Sequence, residues 1–132
     1  MGGQSMKHWG LIVLCGLFLF ALGDVRAEST ARDRAVDVLK ENVVKDPSNP
    51  ELWLHLGFAY RKQGNLPQAC EAFEKAISLD PQNQESLFML GLLYEKSNKT
   101  SEALRVWKQY LATSTDPDKR AMAEKHIHQL SQ

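Results

Sequence analysis

Residues 50–83 read PELWLHLGFAYRKQGNLPQACEAFEKAISLDPQN, and residues 84–117 read QESLFMLGLLYEKSNKTSEALRVWKQYLATSTDP. Laid one above the other, the two stretches repeat. Leu56, Gly57, Tyr60 and Ala69 recur as Leu90, Gly91, Tyr94 and Ala103, each 34 positions on, and Phe73 recurs as Trp107. A period of about 34 residues marks an array of stacked units. Each such unit buries only one face alone, and the next unit along completes the core.

The turn residues divide each unit into two helices. Asn49 is placed to cap a helix, with Pro50 at its first position and Glu51 behind it. That helix carries Trp53, Leu56, Gly57 and Tyr60. Gly64 ends it, Asn65 opens a partner helix from Leu66 to Leu79, and Pro81 stops that one. The second unit then gives helices over Gln84 to Lys96 and Thr100 to Thr113. Gly57 and Ala69 lack bulk, so the two helices of a unit are expected to approach closely where they cross, with Leu56, Tyr60 and Phe73 filling the space around them.

Upstream, Ser29 or Thr30 is expected to cap a helix running to Lys45. Thr30 and Asp33 have the spacing of a capping box, and Val36, Leu39 and Val43 recur at helical intervals. Asp46-Pro47 ends that helix. One period back, Pro47 aligns with Pro81, Ala35 with Ala69 and Leu39 with Phe73, so this helix reads as the second half of a preceding unit. Downstream, the second unit departs from the first at Leu87 (for Trp53), Tyr110 (for Ala76) and Thr115 (for Pro81). These changes suggest that the array stops there. Asp116 caps a last helix with Pro117 first inside it. Ala123, Ile127 and Leu130 form its apolar stripe, while Lys119, Arg120, Glu124, Lys125 and His128 are expected to face out. The sum is an all-α solenoid of about six helices: half a unit, two full units at 50–83 and 84–117, and a C-terminal capping helix.

Trp53, Leu56, Gly57, Tyr60, Ala69, Phe73, Ala76 and Pro81 resemble the pattern W-x2-L-G-x2-Y…A-x3-F…P of the tetratricopeptide repeat family, and the resemblance covers the middle half of the chain. It implies a helix-turn-helix solenoid that binds another protein, without naming the partner. In that family the first helices of the repeats line a concave groove, at offsets 2, 5, 6, 9, 12 and 13 of the repeat. The corresponding residues here are Glu51, Leu54, His55, Phe58, Arg61 and Lys62, then Glu85, Phe88, Met89, Leu92, Glu95 and Lys96. The implied partner-binding groove is Leu54, His55, Phe58, Arg61, Lys62, Glu85, Phe88, Met89, Leu92 and Glu95. Leu54, Phe58, Phe88, Met89 and Leu92 form its apolar strip, and Arg61, Lys62, Glu85 and Glu95 would set orientation and register. Some members grip a C-terminal carboxylate with paired Asn and Lys residues. His55, Phe58, Met89 and Leu92 stand in place of those asparagines, so an apolar peptide or an amphipathic helix suits this groove better. Met89 would let it adapt to more than one ligand. The alternative is that the strip is covered by the chain itself or by a second copy, giving a self-associating scaffold.

Composition narrows the remaining classes. In 132 residues, 16 acidic side chains balance 16 basic ones, and neither a basic patch for nucleic acid nor a basic cluster for a membrane surface stands out. The first 27 residues differ from the rest. Lys7 and His8 precede an apolar run from Trp9 to Leu22, and Val25-Arg26-Ala27 offers small residues where a signal peptidase needs them. Residues 1–27 therefore read as a signal peptide, with an uncleaved anchor through residues 9–23 as the alternative, since the run is short for a membrane span. Residues 28–132 form the repeat domain. A periplasmic or secreted location follows from the signal. Leu14 directly before Cys15 argues against a lipoprotein site.

Cleavage leaves Cys70 as a lone thiol, which cannot form an internal disulfide. A buried apolar role suits it, and no basic neighbour activates it. His126 and His128, two apart on a helix, point to different sides, so with Asp116 and Asp118 they offer at most a weak adventitious metal site. His55 reads as a polar groove edge. The chain has no nucleophile–His–Asp set, no phosphate loop and no CxxC, so neither an enzyme nor a cofactor is expected. The sequence points to an envelope adaptor without catalytic activity. Service to one envelope assembly system (cytochrome maturation, pilus or outer-membrane biogenesis) rests on fold analogy alone.

Overall fold

The computed structural model describes the backbone of residues 7–132 and the side chains of residues 26–132. Six helices follow in order: α1 (Lys7–Lys45), α2 (Pro50–Gln63), α3 (Leu66–Leu79), α4 (Gln84–Lys96), α5 (Thr100–Thr113) and α6 (Pro117–Leu130). Among the described residues there is no strand. Each helix packs on the next in the chain, as in an array in which every hairpin contacts only its neighbours.

The caps expected at Asn49, Asn65 and Asp116 form, and Asn83 adds one that the sequence reading did not name. The side chains of Asn49, Asn65, Asn83 and Asp116 accept hydrogen bonds from backbone N–H groups in the first turns of α2, α3, α4 and α6. These N–H groups have no partner within their own helix, which is why Asn and Asp are favoured there. The turn between the helices of each unit needs one left-handed residue. Gly64 supplies it at φ 80°, and one period on Asn98 supplies it at φ 56°. Asn is one of the few residues that tolerate this conformation.

The start of α1 corrects the sequence reading. Neither Ser29 nor Thr30 caps a helix, because α1 is already helical there. The Thr30 hydroxyl donates 2.7 Å back to the Arg26 carbonyl, four residues earlier, a bond that threonine makes inside a helix. Arg32 and Glu28 pair across one turn of the same helix. The signal-peptide and lipoprotein readings concern side chains before residue 26, which lie outside the described residues. Among the described residues no helix is long and apolar enough to cross a membrane.

The core is one cluster running from Val36 to Ala123. Phe73 and Trp107 lie at its centre, each fully buried. The two glycines that recur at the repeat period face these rings rather than simply thinning the helix crossing. A Cβ on Gly57 would sit 2.7 Å from the Phe73 ring, and one on Gly91 would sit 2.7 Å from Trp107. Ala69 and Ala103 are fully buried too. Tyr110, which replaces Ala76, is buried at 3 % and packs against both Trp107 and Phe88.

Candidate functional site

The surface to be judged is formed by α2 and α4, the first helices of the two full repeats. Its residues divide by depth. Leu54 and Met89 are buried, at 4 % and 8 % exposure. Leu54 belongs to the core, whereas Met89, though buried, still reaches the surface at a cleft floor, so the apolar strip loses Leu54. Phe58, Phe88 and Leu92 are half-buried on top of that core. Phe58 meets Phe73 edge-on, with ring centroids 5.3 Å apart, and the Arg61 guanidinium lies 5.5 Å from its centroid. Phe88 stands edge-on to Trp107 at 5.8 Å. Leu92 is half-buried in the same way, one turn further along α4 than Phe88.

Three clefts receive these side chains. The first lies between α1 and α2 and is lined by Ala31, Ala35, Phe58, Ala59 and the charged Glu28, Arg32 and Lys62. The second is floored by Leu66, Met89, Leu92 and Leu93, with Arg61 and Lys96 at its rim. No carboxylate lines this second cleft. The third, between α4, α5 and α6, is lined by Gln84, Glu85, Phe88, Tyr110, Lys119 and Met122. Seven of the ten expected groove residues thus line a cleft: Phe58, Arg61, Lys62, Glu85, Phe88, Met89 and Leu92. His55 is exposed and lines none of the three.

Glu95 is the clearest departure. Its carboxylate is engaged within the chain. Its Oε1 accepts a hydrogen bond from the Trp107 indole N–H at 2.5 Å and lies 2.8 Å from Nδ1 of His126. His126 in turn stacks on the Trp107 ring. The three residues tie α4, α5 and α6 together at one point. Spacing alone could not reveal this network, but one signal was present. Where the first repeat has Phe73, Trp107 adds an N–H, and a buried indole N–H needs an acceptor. Arg120 likewise does not face out. Its guanidinium donates to the carbonyls of Leu111 at 2.7 Å and Ser114 at 3.1 Å, and so satisfies the end of α5.

Two titratable groups are displaced. Burial pushes the Cys70 thiol above its ordinary pKa; Glu74 and Glu71 add to the shift and Lys99 opposes it. Cys70 is free and half-buried, in a cleft with Leu66, Pro67, Glu71, Glu74, Tyr94, Ser97 and Lys99. Burial, with a smaller contribution from Asp116, also pushes the Tyr110 hydroxyl up. Among the described residues no three His, Cys, Asp or Glu side chains gather as a metal site would need.

Comparison with known proteins bears on the fold. Residues 50–83 match one tetratricopeptide repeat model, and residues 72–105 match a second. The chain carries tetratricopeptide repeats over these residues. Its fold is shared with the Yersinia enterocolitica type III secretion chaperone SycD, solved in complex with a peptide of the translocator YopD. The two are 14% identical over 86% of this chain and 89% of that one, with a TM-score of 0.67. PcrH, in complex with the chaperone binding region of PopD, is 16% identical over 99% and 96% of the two chains, with a TM-score of 0.67. The first repeat domain of Spaghetti (RPAP3), bound to an HSP90 peptide, is 20% identical over 88% and 93%, with a TM-score of 0.65. No curated protein matches the sequence.

Proposed function

We propose that this chain is a protein-interaction module that holds an apolar peptide or an amphipathic helix across α2 and α4. One observation carries the reading. Phe58, Phe88 and Leu92 line three clefts on the outer side of a core that Leu54, Leu56, Leu87 and Leu90 already fill. These first helices therefore carry apolar side chains beyond what the fold requires, and such surfaces on small proteins mark interaction sites. A helix laying one apolar face into a groove would use the clefts of Leu92 and Phe88 in turn. The rim charges would fix its direction: Arg61 and Lys96 at the second cleft favour an acidic flank on the ligand, and Glu85 with Lys119 sets the third. We assign no catalytic step, cofactor or metal to the chain. The peptide partners of SycD, PcrH and Spaghetti give the reading its precedent at the level of fold.

The module is proposed to work in the cell envelope or outside the cell, released by cleavage after Ala27. Val25 and Ala27 at the cut, following a short apolar run, support this. The N-terminal mass of the mature protein tests the location: Glu28 is expected as first residue, and a retained Met1 would overturn export by cleavage. Capture from envelope extract tests binding. The full-length protein should hold a partner that Leu92→Glu loses while keeping its helix content. A partner indifferent to Leu92→Glu would overturn the groove.

A further inference from the structure

Both full repeats cover the same four positions of their second helix. Ala69, Ala72, Phe73 and Ala76 on α3 are at most 2 % exposed, and Ala103, Val106, Trp107 and Tyr110 on α5 at most 3 %. One period back, those positions on α1 are Ala35, Val38, Leu39 and Asn42. Here Ala35 is exposed, Val38 is 56 % exposed, and Leu39 and Asn42 are only half-buried. The cause is topological. α3 and α5 each lie against the first helix of their own hairpin, α2 and α4, and also against the helix that follows. Among the described residues α1 packs against α2, and no first helix lies on its other side. The described array is open at this end.

The other end is closed by chemistry. In the first-helix register, α6 places Ala121, Glu124, Lys125 and His128 where α2 has Trp53, Leu56, Gly57 and Tyr60. A first helix needs glycine opposite the large residue of its second helix, because a Cβ there comes within 2.7 Å of Phe73 or Trp107. Lys125 and Glu124 are exposed. Joining α6 of one copy to α1 of another would press those charges onto Leu39 and desolvate them without partners. Head-to-tail growth into a filament is thereby disfavoured.

We infer that the open face of α1 is covered by the same face of a second copy, with the two α1 helices antiparallel about a two-fold axis near Val38. Ala31, Ala35, Val38 and Asn42 follow at intervals of four, three and four residues, the spacing of a two-helix seam. Alanine at two of these positions lets the backbones approach. Arg34 and Glu41, both exposed, flank the seam on one side, two helical turns apart. The antiparallel arrangement sets each Arg34 beside Glu41 of the other copy. A parallel one would turn each Arg34 toward Leu39 and each Glu41 toward Asp46 of the other copy, so charge selects the antiparallel pair. Such an interface is isologous and closes on itself as a dimer. It also walls in the cleft that Ala31 and Ala35 share with Phe58, while the clefts holding Leu92 and Phe88 stay open.

Disulfide trapping tests this pairing in the full-length chain with Cys15 and Cys70 changed to serine. Val38→Cys should convert to a linked dimer under mild oxidation in cells. Val44→Cys, at a position 80 % exposed on another side of α1, should stay monomeric. Adding Arg34→Glu should reduce trapping at Val38→Cys at least several-fold, and adding Glu41→Arg to that variant should restore it. Equal trapping at both cysteines, no dimer at Val38→Cys, or a yield indifferent to the charge exchange would each overturn the proposal. Should Arg34→Glu lower helix content by circular dichroism, the comparison of Val38→Cys with Val44→Cys decides alone. Capture of a partner through Leu92 has no bearing on either outcome.

Discussion

The imidazole of His126 lies flat on the indole of Trp107, with ring centroids 4.3 Å apart and planes 11° from parallel. Glu95 touches both rings, accepting from the indole N–H and contacting Nδ1 of the imidazole. This contact fastens α6, whose buried apolar side chain is Ala123 alone, to the second repeat. A stacked pair contributes about 0.5–1.5 kcal/mol beyond burial, and a hydrogen bond about 1 kcal/mol.

His126→Ala should therefore destabilise the protein by roughly 1–3 kcal/mol, from the loss of the stack and of one polar contact. His128→Ala, at an exposed position on the same helix, should change stability by less than about 0.5 kcal/mol. Thermal melts followed by circular dichroism compare the two. Equal losses would show that the stack does not hold α6.

Gly57→Ala and Gly91→Ala should both destabilise, and Gly91→Ala the more. Each new Cβ meets a ring at 2.7 Å. Phe73 can give way, because its aromatic neighbour Phe58 is only half-buried. Trp107 cannot move as easily, held by Glu95, stacked by His126 and flanked by Phe88 and Tyr110. Overpacking of this kind costs about 1–3 kcal/mol, and the two variants should fall at opposite ends of that range. Denaturant titration reads the order, which a larger loss for Gly57→Ala would reverse.

Cys70 should react slowly with a disulfide reagent near neutral pH, because burial holds its thiol protonated beyond the ordinary range. The rate should rise with pH more steeply above that range than for a free cysteine. Glu74→Gln removes a negative neighbour and should speed the reaction at a given pH; Lys99→Gln should slow it. The assay needs Cys15 replaced. A thiol as reactive as a free peptide cysteine would contradict the burial account.

Element boundaries were legible because their causes are local. Asn49, Asn65, Asp116 and the prolines act on the turn they occupy, and Gly64 shows its need for a left-handed residue within one turn. Thr30 misled because its hydroxyl can cap a helix or bond back to the fourth carbonyl before it, and the choice depends on whether the chain before it is already helical. Leu54 misled for another reason. The family's offsets say which helix face a residue occupies but not how deep it sits, and depth depends on the neighbouring hairpin. Glu95 was read as a groove residue because its partners, Trp107 and His126, lie 12 and 31 positions away, beyond any helical period.

The most direct test of the binding surface is photocrosslinking from two positions of the full-length chain in envelope extract. A photoreactive phenylalanine analogue replaces Leu92 on α4 in one protein and Ser78, exposed on the second helix of the first repeat, in the other. A partner adduct from position 92 and none from position 78 is predicted. Adducts at both positions, or at position 78 alone, would contradict a partner held across the first helices.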